Sequence, residues 1–214
     1  MLNWFTQSPQ SDSVVITGAS TGIGAACALA LDKLGYRVFA GVRHSADGER
    51  LQQQAGPRLM PIRLDVTDAA SISAATHTVA AMVGERGLAG LVNNAGIGVA
   101  GPIELLPLAD WRRQFEVNVF GLIAVTQTFL PLIRTGRGRI INMGSIAGRA
   151  SMSFMAPYAA SKHALEAITD ALRLQLQPGG RRGALIAPGA VATPIWKKTR
   201  KEVDAWEAAW GQDL

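Results

Sequence analysis

The chain has 214 residues, of which 48% are apolar and 17% are charged, and its formal net charge is +5. This apolar fraction excludes an intrinsically disordered chain, and a lone cysteine, Cys27, excludes a disulfide-stapled scaffold. No uncharged run reaches ~18 residues and the N-terminus lacks a secretory pattern, so we expect a cytoplasmic protein without a membrane span. The basic residues are mostly scattered, so we expect no nucleic-acid partner.

Short apolar runs alternate with helical stretches along the chain. The predicted strands contain residues 14–16, 38–40, 59–64, 91–92, 140–141 and 185–186, and the first two predicted helices lie near 22–34 and 47–55. In a third helix, Ile72, Val79 and Val83 share one face. Nearly unbroken apolar strands are typical of a parallel sheet buried on both faces. The pattern therefore predicts a doubly wound α/β fold of the Rossmann type, with six strands and helices on both faces.

We expect a single domain over residues 1–214, since the sequence has no repeat and no Pro/Ser-rich linker. Its core would cover about 13–196, and the segment 197–214 would form a helical tail.

A glycine-rich turn follows the first predicted strand. Residues 17–24 read Thr-Gly-Ala-Ser-Thr-Gly-Ile-Gly and lead directly into a helix. Glycines in such a turn let the backbone approach a pyrophosphate at the positive end of the helix. The spacing differs from the common Gly-x-Gly-x-x-Gly pattern, so a nucleotide site and a purely structural turn both remain open.

The second predicted strand ends at Arg43 and lacks the acidic residue that binds the ribose in NAD enzymes. The planar guanidinium of Arg43 could instead pair with a 2′-phosphate, which favours NADP(H) over NAD(H). The alternative is an arginine that is merely solvated in a loop.

Three polar residues in the second half of the chain form a candidate reactive group. Tyr158 and Lys162 are four residues apart in a predicted helix, so both side chains lie on one face. A neighbouring ammonium lowers the pKa of a tyrosine, as general acid–base chemistry near neutral pH requires. Ser145 follows the fifth predicted strand, where ligands bind in open α/β sheets. Taken alone, the Tyr–Lys pair is more typical of a solvated helix surface, and Ser145 of a turn.

Together and in this order, the motifs resemble those of the short-chain dehydrogenase/reductase family. The resemblance covers about residues 13–196 and includes the glycine turn, Ser145, Tyr158 and Lys162. It also includes Asn93-Asn94-Ala95-Gly96, Asn118, Pro188-Gly189 and Thr193.

The resemblance implies an NADP-dependent oxidoreductase that transfers a hydride between the nicotinamide and a carbonyl or secondary alcohol. Tyr158 would exchange a proton with the substrate oxygen, while Lys162 would lower the Tyr158 pKa and bind the nicotinamide ribose. Ser145 would orient the substrate carbonyl, and Asn118 would hold a water that relays protons from Lys162. The positions that match cofactor-binding residues are Gly18, Ser20, Thr21, Gly22, Ile23, Gly24, Arg43, Asp65, Val66, Asn94, Ala95, Gly96, Tyr158, Lys162, Pro188, Gly189, Val191 and Thr193.

The sequence indicates the substrate class and the substrate pocket less clearly than the cofactor site. Residues 188–196 resemble the members that act on steroids, retinoids and similar compounds, so an apolar small-molecule alcohol or ketone is expected. Trp196, Trp206 and Trp210 either line a substrate pocket or pack a C-terminal helix. Asp65 would meet the adenine, but without the resemblance it is equally typical of a loop before a helix cap.

The resemblance stops early, because the sequence ends without the seventh strand of the family and looks C-terminally short. The alternative function is therefore a catalytically impaired relative that binds a nucleotide or a protein partner. The histidines show no metal-ligand spacing, so we expect no metal site. Whether the chain forms a homo-oligomer is left open.

Overall fold

The computed structural model describes residues 12–180 and 182–210 and contains one six-stranded sheet. Its strands are β1 (Ser13–Ile16), β2 (Arg37–Val42), β3 (Leu59–Arg63), β4 (Gly90–Asn93), β5 (Arg139–Met143) and β6 (Arg182–Ile186). The strand order is β3-β2-β1-β4-β5-β6, and every neighbouring pair is parallel. The predicted doubly wound parallel sheet is thus confirmed.

Helices connect the strands. They are α1 (Gly22–Lys33), α2 (Ser45–Gln52), α3 (Ala69–Val83), α4 (Leu108–Phe115), α5 (Gly121–Thr135), α6 (Ala156–Leu176) and α7 (Pro194–Trp210). A π-helical turn, Glu116–Phe120, joins α4 directly to α5. Asp68 caps α3, since its carboxylate accepts hydrogen bonds from the backbone N–H groups of Ala70 and Ser71.

Different helices cover the two faces of the sheet, and successive strand residues point to opposite faces. Val15 and Phe39 pack with residues of α3 and α5 in one apolar cluster. Val14 and Val38 pack with residues of α1 and α2 in another. Both clusters are almost fully buried, which explains why the strands are nearly continuous apolar runs.

The order in which strands are added to the sheet changes direction at β1, although all strands stay parallel. The connections from β1 through β3 build one half of the sheet, and the chain then returns to add β4, β5 and β6 on the other side. A crevice forms at such a switch point, at the carboxyl ends of the strands, and is where ligands bind in open α/β sheets. This topology positions the candidate site.

The continuous helical segment Leu108–Thr135 is long and apolar enough to cross a membrane by length and composition alone. Within it, Val125, Phe129 and Ile133 are fully buried in the core cluster against the sheet. These three residues therefore belong to the core, whereas Leu108 and Phe120 of the same segment are more than half exposed. The expectation that the chain has no membrane span remains a prediction.

Candidate active site

A cavity of about 420 Å³ opens at the carboxyl ends of the strands, at the switch point. Cavities of this size are typical of small-molecule and cofactor sites. It is lined by the turn after β1, by the ends of β2 to β5 and by the segment after β6. Every residue predicted to bind the cofactor lines this cavity except Gly24, and so do Ser145, Tyr158 and Lys162. Asn118 does not line it.

The glycine turn is packed tightly enough to exclude side chains. Gly18 and Gly22 have φ angles of +63° and +60°, a region that other residues rarely adopt. A Cβ on Gly18 would lie 2.7 Å from the Cα of Ala95, and one on Gly22 would lie 3.3 Å from the Cβ of Thr193. The turn therefore presents its backbone at the N-terminus of α1, where an anion is stabilised.

Gly24 and Asn94 support this turn from behind. A Cβ on Gly24 would collide with the Asn94 side-chain nitrogen and the Gly18 carbonyl oxygen. The same nitrogen donates 3.0 Å hydrogen bonds to the carbonyls of Thr17 and Gly18. Gly24 thus permits the close packing of turn and loop. It does not line the cavity, and its contact with the cofactor stays a prediction. Asn94 lines the cavity and fixes the turn.

Arg43 and Asp65 lie at the ends of β2 and β3, on the cavity wall. Asp65 accepts hydrogen bonds from the Thr67 backbone N–H at 3.0 Å and from the Thr67 hydroxyl at 2.8 Å. Burial would raise the pKa of Asp65, but these hydrogen bonds and the charges of Arg43 and Arg63 lower it overall. An ionised carboxylate therefore stands close to the exposed Arg43 guanidinium.

Ser145, Tyr158 and Lys162 meet at the end of β5, and each is at most 6% exposed. The Ser145 hydroxyl is hydrogen-bonded to Tyr158 and also accepts from the Ala147 backbone N–H at 3.1 Å. The Lys162 Nζ donates a 2.7 Å hydrogen bond to the Met143 carbonyl. It lies 5.6 Å from the centroid of the Tyr158 ring. The structure thus brings together the three predicted reactive residues.

Burial determines the protonation of this group. It lowers the pKa of Lys162 from 10.5 to about 8. Burial raises the pKa of Tyr158, and the hydrogen bond with Ser145 opposes that effect only in part. The sequence predicts that the Lys162 ammonium lowers the Tyr158 pKa, whereas the net direction in the folded chain is upward.

Asn118 lies in the π-helical turn, behind the cavity wall, and is 2% exposed. Its Oδ1 accepts a hydrogen bond from the Ile97 N–H at 2.9 Å. Its Nδ2 donates to the Ile97 carbonyl at 3.0 Å and to the Ser161 hydroxyl at 3.2 Å. The side-chain amide therefore holds the loop after β4, and its role in a water relay stays a prediction.

Other cavity residues were not identified from the sequence. Arg113, Thr67 and Gly98 line the cavity but belong to none of the motifs, whereas Ile195 falls within the segment 188–196 that resembles the family. Thr67 and Gly98 lie two residues beyond the predicted positions Asp65 and Gly96. Arg113 lies on α4 and faces the cavity through the packing of distant segments, so no local pattern could have found it.

The sequence left open whether the tryptophans line a substrate pocket or pack a C-terminal helix, and the structure gives Trp196 and Trp206 different surroundings. Trp196 lines the cavity and makes an edge-on contact with the Tyr158 ring, with centroids 6.2 Å apart and planes at 67°. Trp206 instead lies against Gly101. The side chain of Trp210 is outside the described part of the structure.

Comparison with known proteins identifies the family. The model of the short chain dehydrogenase family matches residues 12–204. The chain is 38% identical over 200 residues to 17-beta-hydroxysteroid dehydrogenase type 2 of Homo sapiens, covering 89% of this chain and 52% of that protein. It is 41% identical over 189 residues to retinol dehydrogenase 5 of Mus musculus, covering 87% of this chain and 59% of that protein. The chain therefore spans between half and two thirds of the length of these relatives.

Solved structures with a similar fold belong to the same class of enzyme. A short-chain dehydrogenase from Streptomyces avermitilis superimposes with a TM-score of 0.80 at 32% identity, over 86% of this chain and 68% of that chain. A 3-ketoacyl-(acyl-carrier-protein) reductase from Brucella melitensis, solved with NADH, gives a TM-score of 0.85 at 28% identity, over 92% and 84% of the two chains. The chain belongs to the short-chain dehydrogenase/reductase family, as its motifs predicted.

Proposed function

We propose that the chain is an NADP(H)-dependent oxidoreductase that interconverts a carbonyl and a secondary alcohol. One observation carries the proposal: a single cavity joins the glycine turn to the buried group of Ser145, Tyr158 and Lys162. A nucleotide site alone has no need of a hydroxyl, a phenol and an ammonium at its far end.

The residues fit a nicotinamide dinucleotide. The turn containing Gly18 and Gly22 leaves backbone N–H groups at the start of α1, which suits a pyrophosphate. Arg43 and Asp65 line the end suited to the adenosine, and Lys162 lies at the end suited to the nicotinamide ribose. When bound, the nicotinamide supplies or accepts the hydride.

Tyr158 acts as the acid in the direction of carbonyl reduction. The phenol is protonated near neutral pH, so it can donate a proton to the substrate oxygen as that oxygen becomes an alkoxide. Burial raises its pKa and so makes the phenol a weaker acid. Ser145, hydrogen-bonded to the same phenol, donates to that oxygen and fixes its position. Lys162, with its pKa near 8, stabilises the phenolate that remains.

The preference for NADP(H) is supported by the end of β2. Arg43 is exposed on the cavity wall, where its guanidinium can pair with a 2′-phosphate. Two observations favour NAD(H) instead. The Asp65 carboxylate close to Arg43 repels a phosphate, and the Brucella melitensis reductase was solved with NADH. The dissociation constants for NADPH and NADH, compared directly, test this preference.

An apolar substrate is supported by the wall beside Tyr158. Ile195 and Trp196 pack in one apolar cluster with Tyr158 and line the cavity. Similar relatives carry the names of hydroxysteroid and retinol dehydrogenases. A cytoplasmic location and the absence of a nucleic-acid partner remain predictions from composition.

The proposal is tested by titrating the purified chain with NADPH and NADH, followed by NADPH oxidation with a panel of apolar and polar ketones and aldehydes. We expect tighter binding of NADPH and turnover of apolar ketones. Binding without turnover of any carbonyl would favour the impaired relative, and no binding of either cofactor would contradict the proposal.

A further inference from the structure

A buried polar cluster lies behind the cavity wall, outside the reactive group. It consists of Gln114 on α4, Asn118 in the π-helical turn and Ser161 on α6, and each is at most 2% exposed. We call these three side chains the loop clamp. Polar groups buried this completely cost free energy unless they are hydrogen-bonded, so their partners show what they hold together.

Gln114 and Asn118 form hydrogen bonds to the backbone of the loop that follows β4. The Gln114 Oε1 accepts from the Val99 N–H at 2.7 Å, and its Nε2 donates to the Ile97 carbonyl at 2.9 Å. Asn118 holds both backbone groups of Ile97. The far side of this loop, at Ile97 and Gly98, lines the cavity. The two amides therefore fix one cavity wall from behind.

Ser161 connects this wall to the reactive group. Its hydroxyl donates to the Tyr158 carbonyl at 2.7 Å. The same oxygen is 3.3 Å from the Gln114 Nε2 and 3.2 Å from the Asn118 Nδ2, both of which donate to it. A hydroxyl has one donor hydrogen and two acceptor sites, so Ser161 is saturated and its rotamer is fixed. The clamp thus bonds to the turn of α6 that carries Tyr158 and Lys162.

We infer that Gln114 is a positioning residue for Tyr158 and Lys162 that acts through Ser161. This inference rests on the proposed function, since it assigns Gln114 a part in placing the proton donor. A buried network with every partner present is rigid, and a displacement of a reactive group by about 1 Å can cost ~100-fold in rate. Gln114 is fully buried and outside the cavity lining, so its influence passes through the clamp.

The test compares Gln114→Met and Ser161→Ala with the parent 214-residue chain. Methionine keeps the length of the side chain but removes all three hydrogen bonds of Gln114. We expect kcat for an apolar ketone to fall about tenfold while the KM for NADPH changes little, since each ~1.4 kcal/mol at the transition state is a factor of ten. A role in stability alone would lower Tm and leave kcat of the folded protein unchanged.

Titration of Tyr158 gives a second readout that is independent of turnover. Tyr36 and Tyr158 are the two tyrosines of the chain, so a Tyr36→Phe background isolates the phenolate absorbance of Tyr158. Lys162 is the ionisable side chain that the structure places against this ring. In Gln114→Met, we expect the Tyr158 midpoint to move down towards that of free tyrosine, because a loosened α6 admits water to the phenol.

Thr169→Val is the matched control. Thr169 is another buried hydroxyl of α6, which donates to the Leu165 carbonyl and accepts from the Asn142 side chain, away from the cavity lining. This variant should change neither kcat nor the Tyr158 midpoint. An effect of Gln114→Met no larger than that of Thr169→Val would overturn the inference.

The double variant tests the route through Ser161. If Gln114 acts through this hydroxyl, Gln114→Met/Ser161→Ala should have the kcat of Ser161→Ala alone. Losses that multiply would contradict the route. If the parent chain turns over no ketone, the proposed function fails, and an unchanged Tyr158 midpoint in Gln114→Met then overturns the inference on its own. Ser161→Ala, which removes one oxygen, provides the same comparison where Gln114→Met does not fold.

Discussion

The Lys162 ammonium nitrogen lies 5.6 Å from the centroid of the Tyr158 ring, and both side chains are almost fully buried. Burial lowers the pKa of Lys162 to about 8 and raises that of Tyr158. Near neutral pH, the pair therefore holds a protonated phenol beside an amine that ionises within about a unit of the surrounding pH. This combination suits a phenol that donates a proton to the substrate and is then reprotonated.

The first prediction concerns the pH dependence of stability. Lys162 has a pKa of 10.5 when exposed and about 8 when folded, so between these values the unfolded chain binds the additional proton. The cost of burying the charge is fully present below pH 8 and disappears above 10.5. The free energy of unfolding of the parent, relative to Lys162→Met, should rise across this window by up to ~3 kcal/mol. Urea unfolding at a series of pH values measures it; a difference independent of pH would refute the buried charge.

The second prediction concerns the glycine turn. Gly18→Ala forces an alanine into positive φ and brings its Cβ within 2.7 Å of the Ala95 Cα. Gly84→Ala is the matched control, because Gly84 also has a positive φ, +54°, but a Cβ there meets nothing within 4 Å. Both variants should lose ~1–3 kcal/mol of stability from backbone strain. Gly18→Ala should lose more stability than Gly84→Ala, and it should also bind NADPH more weakly. Equal losses of stability in the two variants, measured by thermal unfolding, would show that the close approach to Ala95 is unimportant.

The third prediction concerns cofactor choice. A charge-assisted bond to a phosphate is worth roughly 1.5–3 kcal/mol, so Arg43→Ala should weaken NADPH binding about ten- to a hundred-fold and leave NADH binding nearly unchanged. Arg63→Ala is the control, since Arg63 also acts on the Asp65 charge but does not line the cavity. Fluorescence titration with both cofactors gives the ratio. A ratio that Arg43→Ala leaves unaltered would make Arg43 a solvated loop residue.

The fourth prediction concerns the substrate wall. Trp196 lines the cavity against Tyr158, whereas Trp206 lies on the same helix beside Gly101. Trp196→Ala should raise the KM for a bulky apolar ketone about tenfold, equivalent to ~1.4 kcal/mol of apolar contact, and change the KM for a small ketone much less. Trp206→Ala should raise neither. Equal effects of Trp196→Ala on the two ketones would remove Trp196 from the substrate wall.

The sheet could be predicted because each strand and helix is marked by a pattern within its own short segment of sequence. Strands such as residues 14–16 and 140–141 are continuous apolar runs, and the face of α3 marked by Ile72, Val79 and Val83 is buried as its spacing indicated. The motifs also placed Ser145, Tyr158 and Lys162 in one cavity, because each lies at or near the end of a parallel strand or on the helix that follows.

The remaining features depend on tertiary packing. Asn118 sits in a π-helical turn, which rotates the helix face in a way that the sequence period does not reveal, and its amide faces Ile97. The bond between Gln114 and Ser161 joins residues 47 positions apart, and no periodicity encodes it. The spacing of Tyr158 and Lys162 indicated their contact but not their burial, and burial sets the direction of both pKa shifts.

The proposed function requires the Tyr158 phenol to donate the proton in carbonyl reduction. Its most direct test is the rate of NADPH oxidation with an apolar ketone in Tyr158→Phe, with Tyr36→Phe as the control, because Tyr36 is the other tyrosine of the chain and does not line the cavity. We expect Tyr158→Phe to bind NADPH like the parent and to lose turnover by at least ~100-fold, while Tyr36→Phe retains turnover. Turnover in Tyr158→Phe close to that of the parent would contradict the role of Tyr158 as the proton donor.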